Sequence, residues 1–325
     1  MKMKNMMALG MAALLGLGVA SPAMAAEQET YKVGVCQLVQ HVALDAATQG
    51  FCDVLTENFG EKVSIDVQNA AGDTSTATQI CVNLASDPDM DLILANATPA
   101  LQSAAAATGT IPILGTSITE YGVALEIEDF NGTVGGNISG TSDLAPLDQQ
   151  AAMFDELLPE VTKVGILYCS AEPNSKYQAD VVKAALETAG KTVTVYTFSD
   201  SNDVASVTQN ACDGSDVLYI PTDNTAASCT EAINNVAKPA GVPIICGEEG
   251  MMAGCGIATL SINYYDLGRT TGEMAVKILK GESNISEMPI EYFQNPVKKY
   301  NPELCEALNI TIPEGYVAFE AEPAE

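Results

Sequence analysis

The sequence has no tryptophan, a single histidine and few basic residues. Its 325 residues include 14 Lys and Arg against 42 Asp and Glu, which gives a formal net charge of −28 at pH 7. Nucleic acids and anionic membranes attract basic surfaces, so this charge argues against both as binding partners. Strong acidity is also common in very soluble proteins. With 47% hydrophobic residues, the chain has enough apolar side chains for a packed core.

The sequence also lacks the short motifs of common enzymes and metal proteins. It contains no GxxxxGK[ST], HExxH or GxSxG motif. No two of the nine cysteines stand three apart, and His41 is the only imidazole, so a zinc site is not expected. We therefore expect no enzymatic activity, no cofactor and no metal. Adjacent acids such as Glu248 and Glu249 keep acid–base chemistry open as an alternative.

The nine cysteines leave at least one thiol without a disulfide partner, because nine is odd. Several stand in apolar, strand-like runs, where cysteine packs as a small hydrophobic residue. Cys246 and Cys255 flank a short glycine-containing segment and are the best candidates for a disulfide. The sequence alone does not determine the connectivity.

The first 25 residues have the pattern of a secretory signal peptide. Lys2 and Lys4 precede an apolar stretch over 6–20, which is shorter than the ~20 residues that a membrane-spanning helix needs. Small residues then fit a cleavage site near Ala25/Ala26. We expect export to the periplasm or the cell exterior, and a retained membrane anchor is the alternative. No Cys ends the apolar stretch, so a lipid-anchored form is not expected.

Short apolar, β-branched runs alternate along the chain with longer segments whose apolar residues recur at helical spacing. The runs at 31–39, 62–67, 90–95, 111–115 and 134–139 predict strands. A polar turn near Ser142–Pro146 interrupts the series, and a second series of strands begins at residue 163. Strands that alternate with helices indicate βαβ units and parallel sheets, covered by helices on both faces. We therefore expect two α/β lobes in tandem.

Polar side chains follow these strands, at the sheet edge where parallel α/β proteins bind ligands. They carry hydroxyl, amide and carboxylate groups, with no Lys or Arg among them. Ser and Thr residues such as Thr98, Ser117 and Thr119 can donate to a carboxylate, whereas Asp223, Glu248 or Glu249 can accept from an ammonium group. This inventory fits a zwitterion better than a phosphate. Residues of these types are also preferred helix N-caps, so capping is the structural alternative for each.

Several short strings resemble one family when they are taken in order along the chain. They are Leu44-Asp45, Gly50-Phe51, Asn69-Ala70, Gly72-Asp73, Asp91-Leu92-Ile93-Leu94, Thr98-Pro99, Gly140-Thr141-Ser142-Asp143, Leu157-Leu158-Pro159, Lys163-Val164-Gly165, Glu172 to Ser175, Thr222-Asp223-Asn224, and Tyr264-Tyr265-Asp266-Leu267-Gly268-Arg269. Together they resemble the ABC-transporter substrate-binding proteins of the tryptophan- and tyrosine-binding group. The resemblance covers essentially the whole chain after the signal peptide.

The resemblance implies a type I periplasmic-binding-protein fold. In that fold two Rossmann-like α/β lobes, each a parallel sheet flanked by helices, are joined by a three-strand hinge and close on a ligand. It implies that residues 28–143 plus 262–284 form lobe 1 and residues 144–261 plus 285–320 form lobe 2. The last crossing between the lobes is then expected near Ile290.

The same resemblance implies roles for individual residues. Thr98 and the turn at 117–119 would hold the ligand carboxylate, and Asp223 would accept the ammonium group, with Glu248 as the second choice. Four residues would close over the ligand from lobe 2: Asn174, Ser175, Asp223 and Asn224. The remaining predicted ligand-binding residues are Gln40, His41, Ser142 and Asp143.

Two positions depart from the family pattern. Gln40-His41-Val42 stands where members usually carry an acid-His-Pro run, and Glu120-Tyr121 stands where an Asp-Pro step is frequent. The resemblance implies that both positions line the lobe 1 side of the cleft, so the side-chain specificity stays open. Tyr121 could stack on an aromatic ligand, or could fill the space and select a smaller one.

By resemblance, the function is that of an extracytoplasmic substrate-binding component of an ABC importer. The expected ligand is a small zwitterion, an aromatic amino acid, and the expected partner is an ABC permease in the membrane. We expect a monomer that does not bind nucleic acid. The alternatives are a sensor that presents its ligand to a membrane receptor, a binder of another small amino acid, a sugar or a nucleoside, an exported enzyme, and an adhesive surface protein.

Overall fold

The computed structural model describes residues 30–293 and 295–320. The predicted signal peptide lies outside these residues. The described chain forms two lobes, each built on one mostly parallel β-sheet. Each sheet has a hydrophobic core on both of its faces, as the continuous apolar strands predict. No described helix combines the length and the apolar character that crossing a membrane requires.

Lobe 1 holds a six-stranded sheet. Its strands are β1 (Tyr31–Gln37), β2 (Val63–Asn69), β3 (Leu92–Asn96), β4 (Ile113–Ile118), β5 (Ile138–Ser142) and β11 (Glu291–Tyr292). Their spatial order is β11-β5-β4-β3-β1-β2, and every neighbouring pair is parallel. Its helices are α1 (Val42–Phe59), α2 (Thr74–Ala85), α3 (Thr98–Ala107), α4 (Tyr121–Ala124) and α11 (Tyr264–Leu279), with 3₁₀ turns at Gly60–Lys62 and Ile285–Glu287.

Lobe 2 holds a seven-stranded sheet. Its strands are β6 (Lys163–Cys169), β7 (Thr192–Phe198), β8 (Val217–Ile220), β9 (Ile244–Cys246), β10 (Ala258–Ser261), β12 (Val297–Tyr300) and β13 (Val317–Ala318). The order is β13-β12-β10-β9-β8-β6-β7, and the pair of β10 and β12 is antiparallel. Its helices are α5 (Leu147–Leu157), α6 (Pro173–Thr188), α7 (Val204–Gly214), α8 (Asn224–Ala227), α9 (Thr230–Ala240), α10 (Glu249–Cys255) and α12 (Pro302–Ala307).

Three segments connect the lobes: one after β5, one after β10 and one after β11. The third crossing follows β11, which is close to the crossing expected near Ile290 and later than the lobe boundary expected at residue 285. β11 pairs with β5 through Glu291 and Tyr292, and the apolar side chains of Ile285 and Met288 pack into the lobe 1 core. Residues 285–292 therefore lie with lobe 1, because their apolar side chains and their strand pairing are satisfied there.

Helix α11 returns from lobe 2 and packs along α1, with backbone-to-backbone contact at two glycines. A Cβ on Gly268 would lie 2.0 Å from the carbonyl oxygen of Ala47, and a Cβ on Gly50 would lie 2.2 Å from that of Tyr265. Neither position has room for a side chain. This contact fixes α1 in lobe 1, and the N-terminus of α1 follows directly on the segment that carries His41.

Candidate ligand-binding cleft

The carboxyl ends of the two sheets face each other across a cleft between the lobes. His41, which follows β1, places its Nε2 atom 3.3 Å from Oδ1 of Asn224, which follows β8. Helix α4 of lobe 1 also contacts helix α6 of lobe 2, and α1 contacts α10. The lobes therefore meet at the strand ends, and polar residues from both sheets come together there.

The lobe 1 wall contains two strained backbone positions. Ala97, between β3 and α3, has φ 88° and ψ 155°, and Ser117, near the end of β4, has φ 55°. Such conformations are unfavourable for residues other than glycine and cost about 1–3 kcal/mol each. Each lies at or beside a predicted site residue, since Thr98 begins α3 and is buried. Strain concentrated in this way is typical of functional sites.

Asp143 follows β5 and is the buried carboxylate of lobe 1. Its Oδ2 accepts a hydrogen bond of 2.8 Å from the hydroxyl of Tyr264, the first residue of α11. Ser142 donates its hydroxyl to the carbonyl oxygen of Thr119 at 2.8 Å, which ties the end of β5 to the loop after β4. Tyr264 was not among the predicted site residues, although its string belonged to the family resemblance.

Lobe 2 is organised around Glu172, which precedes α6. This buried carboxylate accepts hydrogen bonds from the backbone and side-chain amide of Asn224 at 2.9 and 2.6 Å. It also accepts from the backbone N–H and hydroxyl of Thr225, each at 2.8 Å, and from Nδ2 of Asn174 at 3.2 Å. Glu172 thus fixes the loop after β8 against the start of α6. In the sequence, Glu172 belongs to one of the strings that resemble the family, but no local signal there indicates this structural role.

Asp223, the first choice for the ammonium group, is engaged by the protein itself. Its Oδ1 accepts from the backbone N–H of Ala226 and its Oδ2 accepts from that of Cys169, both at 2.7 Å. It is the N-cap of α8. The hydroxyl of Ser175 and Nδ2 of Asn174 both lie within hydrogen-bond distance of the carbonyl oxygen of Thr222, at 3.3 and 3.1 Å.

Glu248, the second choice for the ammonium group, also caps a helix. Its carboxylate accepts from the backbone N–H groups of Gly250, at 2.5 Å, and Met251 at the start of α10. Asp223 and Glu248 are therefore helix N-caps, which is the structural alternative considered for them. Both residues still lie at the cleft, and their positions hold the first turns of α8 and α10 against the sheet.

The residues at the two positions that depart from the family pattern lie in different environments. Gln40 is exposed to solvent, while its neighbour His41 turns toward lobe 2. Tyr121 is fully buried in the core of lobe 1, where its hydroxyl donates to the carbonyl oxygen of Thr141 at 3.1 Å and its ring stacks on Phe130. Its ring therefore packs inside lobe 1, and neither of the two roles considered for a cleft-facing Tyr121 applies.

Several buried polar atoms of the cleft have no hydrogen-bond partner within the protein. From the lobe 1 strand ends they are His41 Nδ1, Asn96 Oδ1, Ser117 Oγ and Asp143 Oδ1, and from lobe 2 the atom is Asn174 Oδ1. A buried polar group without a partner costs about 1–3 kcal/mol. The cleft therefore offers acceptors and one hydroxyl to a bound molecule.

The electrostatics of the cleft are uniformly acidic. Every buried Asp and Glu among the described residues lies here, and none of the described Lys or Arg residues is buried. Burial and the neighbouring carboxylate of Glu172 raise the pKa of Asp223 to about 8. Burial raises the pKa of Glu248 to about 7 and also raises that of Asp143. A cationic group would be stabilised in this environment. Within the described part of the chain, no cluster of three or more His, Cys, Asp or Glu side chains could hold a metal ion.

Comparison with known proteins agrees with this architecture. Residues 32–322 match the family model for the ABC transporter substrate-binding protein. A tyrosine-binding protein of Clostridioides difficile is 34% identical over 284 residues, which cover 86% of this chain and 81% of the relative. Proteins of this family act outside the cytoplasm, in agreement with the expected export.

Two solved structures are similar to this chain over most of its length. The structure of an ABC domain in complex with L-Trp from Streptococcus pneumoniae is 33% identical, with a TM-score of 0.84 over 89% of this chain and 100% of that one. The ligand-free, open structure of a substrate-binding protein with adhesive properties from Clostridium difficile is 35% identical, with a TM-score of 0.67 over 90% and 100% of the two chains. At nearly equal identity and coverage, the overall arrangement here is closer to the L-Trp complex. The chain belongs to the ABC transporter substrate-binding proteins and has their type I periplasmic-binding-protein fold.

Proposed function

We propose that the cleft binds an aromatic α-amino acid as a zwitterion and delivers it to an ABC permease without changing it chemically. The observation that carries this proposal is the charge of the cleft: all buried charged residues of the described chain meet there, and all are acidic. A cationic group such as the ammonium group of an amino acid is stabilised among these carboxyl groups. The tyrosine-binding relative and the L-Trp complex support the aromatic side chain.

We assign the ammonium group to Asp143. Both oxygens of Asp223 and of Glu248 already accept backbone hydrogen bonds, whereas Oδ1 of Asp143 is buried and has no partner in the protein. Tyr264 holds the other oxygen of Asp143 and so orients the free one. Oδ1 of Asn174, which is also free, supplies a second acceptor from lobe 2.

The ligand carboxylate fits the ends of β3 and β4. The hydroxyl of Ser117 is buried and has no partner in the protein, and Thr98 begins α3. The first backbone N–H groups of a helix have no partners within the helix and point to a region of positive potential. Hydroxyl and N–H donors can therefore hold the carboxylate, since none of the described Lys and Arg residues is buried. Thr119 and Ser142 support this wall by joining β4 to β5.

Binding is coupled to closure of the lobes. A ligand that touches both lobes gains its full set of contacts only when the cleft is closed, so it shifts the population toward the closed form. Asn174, Ser175, Asp223 and Asn224 form the lobe 2 side in this scheme. The closed form would then dock on the permease, which is the partner that the family implies.

The test is thermal unfolding of the mature protein, refolded to strip any carried ligand, against the twenty amino acids, a set of sugars and a set of purine nucleosides. A ligand at 100 times its dissociation constant adds about 2.7 kcal/mol to the stability, which is a shift of several degrees. We expect the largest shifts with Tyr or Trp. Recovery of the bound amino acid unchanged, by mass spectrometry, checks that no reaction occurs.

Two results would change the proposal. Shifts with small or branched amino acids alone would keep the zwitterion site and remove the aromatic assignment. Shifts with a sugar or a nucleoside, and none with any amino acid, would overturn the zwitterion site itself.

A further inference from the structure

The single histidine of the chain lies at the junction of the two lobes but is not used for helix capping. His41 is the N-cap residue of α1, yet its side chain makes no capping hydrogen bond. Its Nε2 instead faces Asn224 of lobe 2, and its Nδ1 is buried without a partner in the protein. The usual structural role of a polar residue at this position is therefore absent.

The surrounding hydrogen bonds determine which nitrogen of His41 carries the proton. Glu172 accepts from Nδ2 of Asn224 at 2.6 Å, so Oδ1 of Asn224 must face His41 as an acceptor. The opposite amide orientation would place Oδ1 of Asn224 against the Glu172 carboxylate, where two acceptors repel. Nε2 of His41 is consequently the donor, and in a neutral imidazole the other nitrogen is then a pure acceptor.

The neutral form of His41 is favoured at this position. Burial lowers the pKa of the imidazole, against the opposing effects of the Asn224 hydrogen bond and the carboxylates of Glu172 and Asp45. The ring therefore presents a lone pair on Nδ1 inside the closed cleft. A buried acceptor without a protein partner costs free energy, and a donor that enters with the ligand would remove that cost.

The geometry points to His41 as a specificity-determining residue, whose Nδ1 accepts a hydrogen bond from an O–H or N–H group on the ligand side chain. Among aromatic amino acids this chemistry selects the phenol of tyrosine and the indole N–H of tryptophan over phenylalanine, which has no donor. The inference rests on the proposed function, because it assigns a role within the same amino-acid site. It goes beyond that function by naming the protein atom that recognises the donor group on the ligand side chain.

The test compares ligand pairs that differ in this donor alone. Dissociation constants for L-Tyr against L-Phe, and for L-Trp against 1-methyl-L-Trp, are measured by calorimetry on the wild type, on His41→Leu and on Gln49→Ala. Gln49 lies on the exposed face of the same helix and serves as the matched control. One of the two pairs will contain the ligand that binds most tightly. In that pair, we expect the wild type and the control to bind the ligand with the donor about tenfold or more tightly than the ligand without it. In His41→Leu that ratio should fall close to one, mainly through weaker binding of the donor-bearing ligand.

Each other outcome is distinguishable. Wild-type binding without donor preference, or an unchanged ratio in His41→Leu, overturns the role of His41 and leaves the aromatic amino-acid site intact. Binding of none of the four ligands overturns the proposed function and the inference with it.

A second readout does not depend on the folding of a variant. Because the chain has one histidine, ¹⁵N-labelled protein gives a single imidazole pattern in a long-range ¹H–¹⁵N spectrum. We expect a protonated Nε2 and an unprotonated Nδ1 at neutral pH, with the Nδ1 shift moving when the donor-bearing ligand is added. A proton on Nδ1 would overturn the inference.

Discussion

The two walls of the cleft are built on opposite principles. The lobe 2 wall is satisfied internally except at Oδ1 of Asn174: Glu172 and Asp223 accept hydrogen bonds from the loops and helices around them. The lobe 1 wall leaves buried atoms of His41, Ser117 and Asp143 without partners. It also carries the strained backbone at Ala97 and Ser117. A wall that is satisfied internally acts as a rigid lid, whereas a strained wall with free polar atoms is built to receive a ligand.

The largest effect should come from removing the carboxylate of lobe 1. In Asp143→Asn an ammonium group loses its charged partner, and hydrogen bonds to charged groups contribute about 1.5–3 kcal/mol. We expect the affinity for the preferred amino acid to fall about 100-fold, measured by calorimetry. The ligand-free variant should unfold at the same temperature as the wild type or slightly higher, because one buried acid has been removed. An unchanged dissociation constant would move the ammonium site elsewhere.

The corresponding change in lobe 2 should act on stability. Asp223→Ala leaves the backbone N–H groups of Cys169 and Ala226 without their acceptor and removes the cap of α8. We expect a loss of about 2–4 kcal/mol in the free energy of unfolding, measured by urea denaturation. Affinity per folded molecule should change less than tenfold. A large loss of affinity with little loss of stability would instead support the role that the resemblance implied for Asp223.

Asp143 and Asp223 show why the sequence could indicate where the binding site lies, but not which carboxylate binds the ligand and which caps a helix. An Asp that follows a parallel strand and precedes a helix can cap that helix or can bind a ligand, and the sequence pattern is the same. Only the distances from Asp223 to the N–H groups of Ala226 and Cys169 distinguish the two. Tyr264 was not singled out as a site residue because its contact with Asp143 joins positions 121 residues apart.

The fold was largely predictable because strand and helix periods are local properties. Helix α3 has the weakest local signal, since its run of alanines gives no contrast between apolar and polar faces. The two-residue strands β11 and β13 are too short to show any period. The placement of residues 285–292 was wrong because the choice between two lobes depends on tertiary packing, here that of Ile285 and Met288.

The pH dependence of stability should sharpen this comparison, because burial raises the pKa of acids in both walls, Asp143 of lobe 1 included, and lowers that of His41. In lobe 2 the pKa values of Asp223 and Glu248 are raised to about 8 and about 7 from ordinary values of 3.8 and 4.5. As pH rises through this range, the unfolded chain loses these protons before the folded chain does. The folded state therefore binds more protons, and the stability of the ligand-free protein should fall from about pH 4 toward pH 8.

His41 contributes with the opposite sign, because its pKa is lowered in the folded protein. Its contribution is lost as pH falls below the ordinary value of 6.5. Urea denaturation at pH 5, 6, 7 and 8 measures the combined effect of these groups on the free energy of unfolding. Asp223→Asn and Glu248→Gln should each flatten the decline between pH 6 and 8. An equally steep decline in both variants would show that other groups cause it.

The smallest expected effect, a change in distance between the lobes, is also the most direct test of closure. Each lobe has one half-buried cysteine, Cys52 in α1 and Cys229 after α8, and the other seven are buried. Burial raises the pKa of Cys52 to about 11, so this thiol should react more slowly at neutral pH than an exposed one. Maleimide dyes should label Cys52 and Cys229 in the native protein, because these two are only half-buried, with Cys52 the slower. The other thiols should react only after unfolding.

With one dye on each lobe, energy transfer reports the arrangement of the walls. Ligand addition should change the transfer efficiency with the same concentration dependence as binding, since the ligand completes contacts on both walls only in the closed form. Asp143→Asn should shift this dependence to about 100-fold higher concentration, and Gln49→Ala should leave it in place. Binding with no change in transfer would mean that the lobe 1 wall takes up its ligand without moving relative to lobe 2. The lobe 2 wall would then be a fixed boundary of the site instead of a lid.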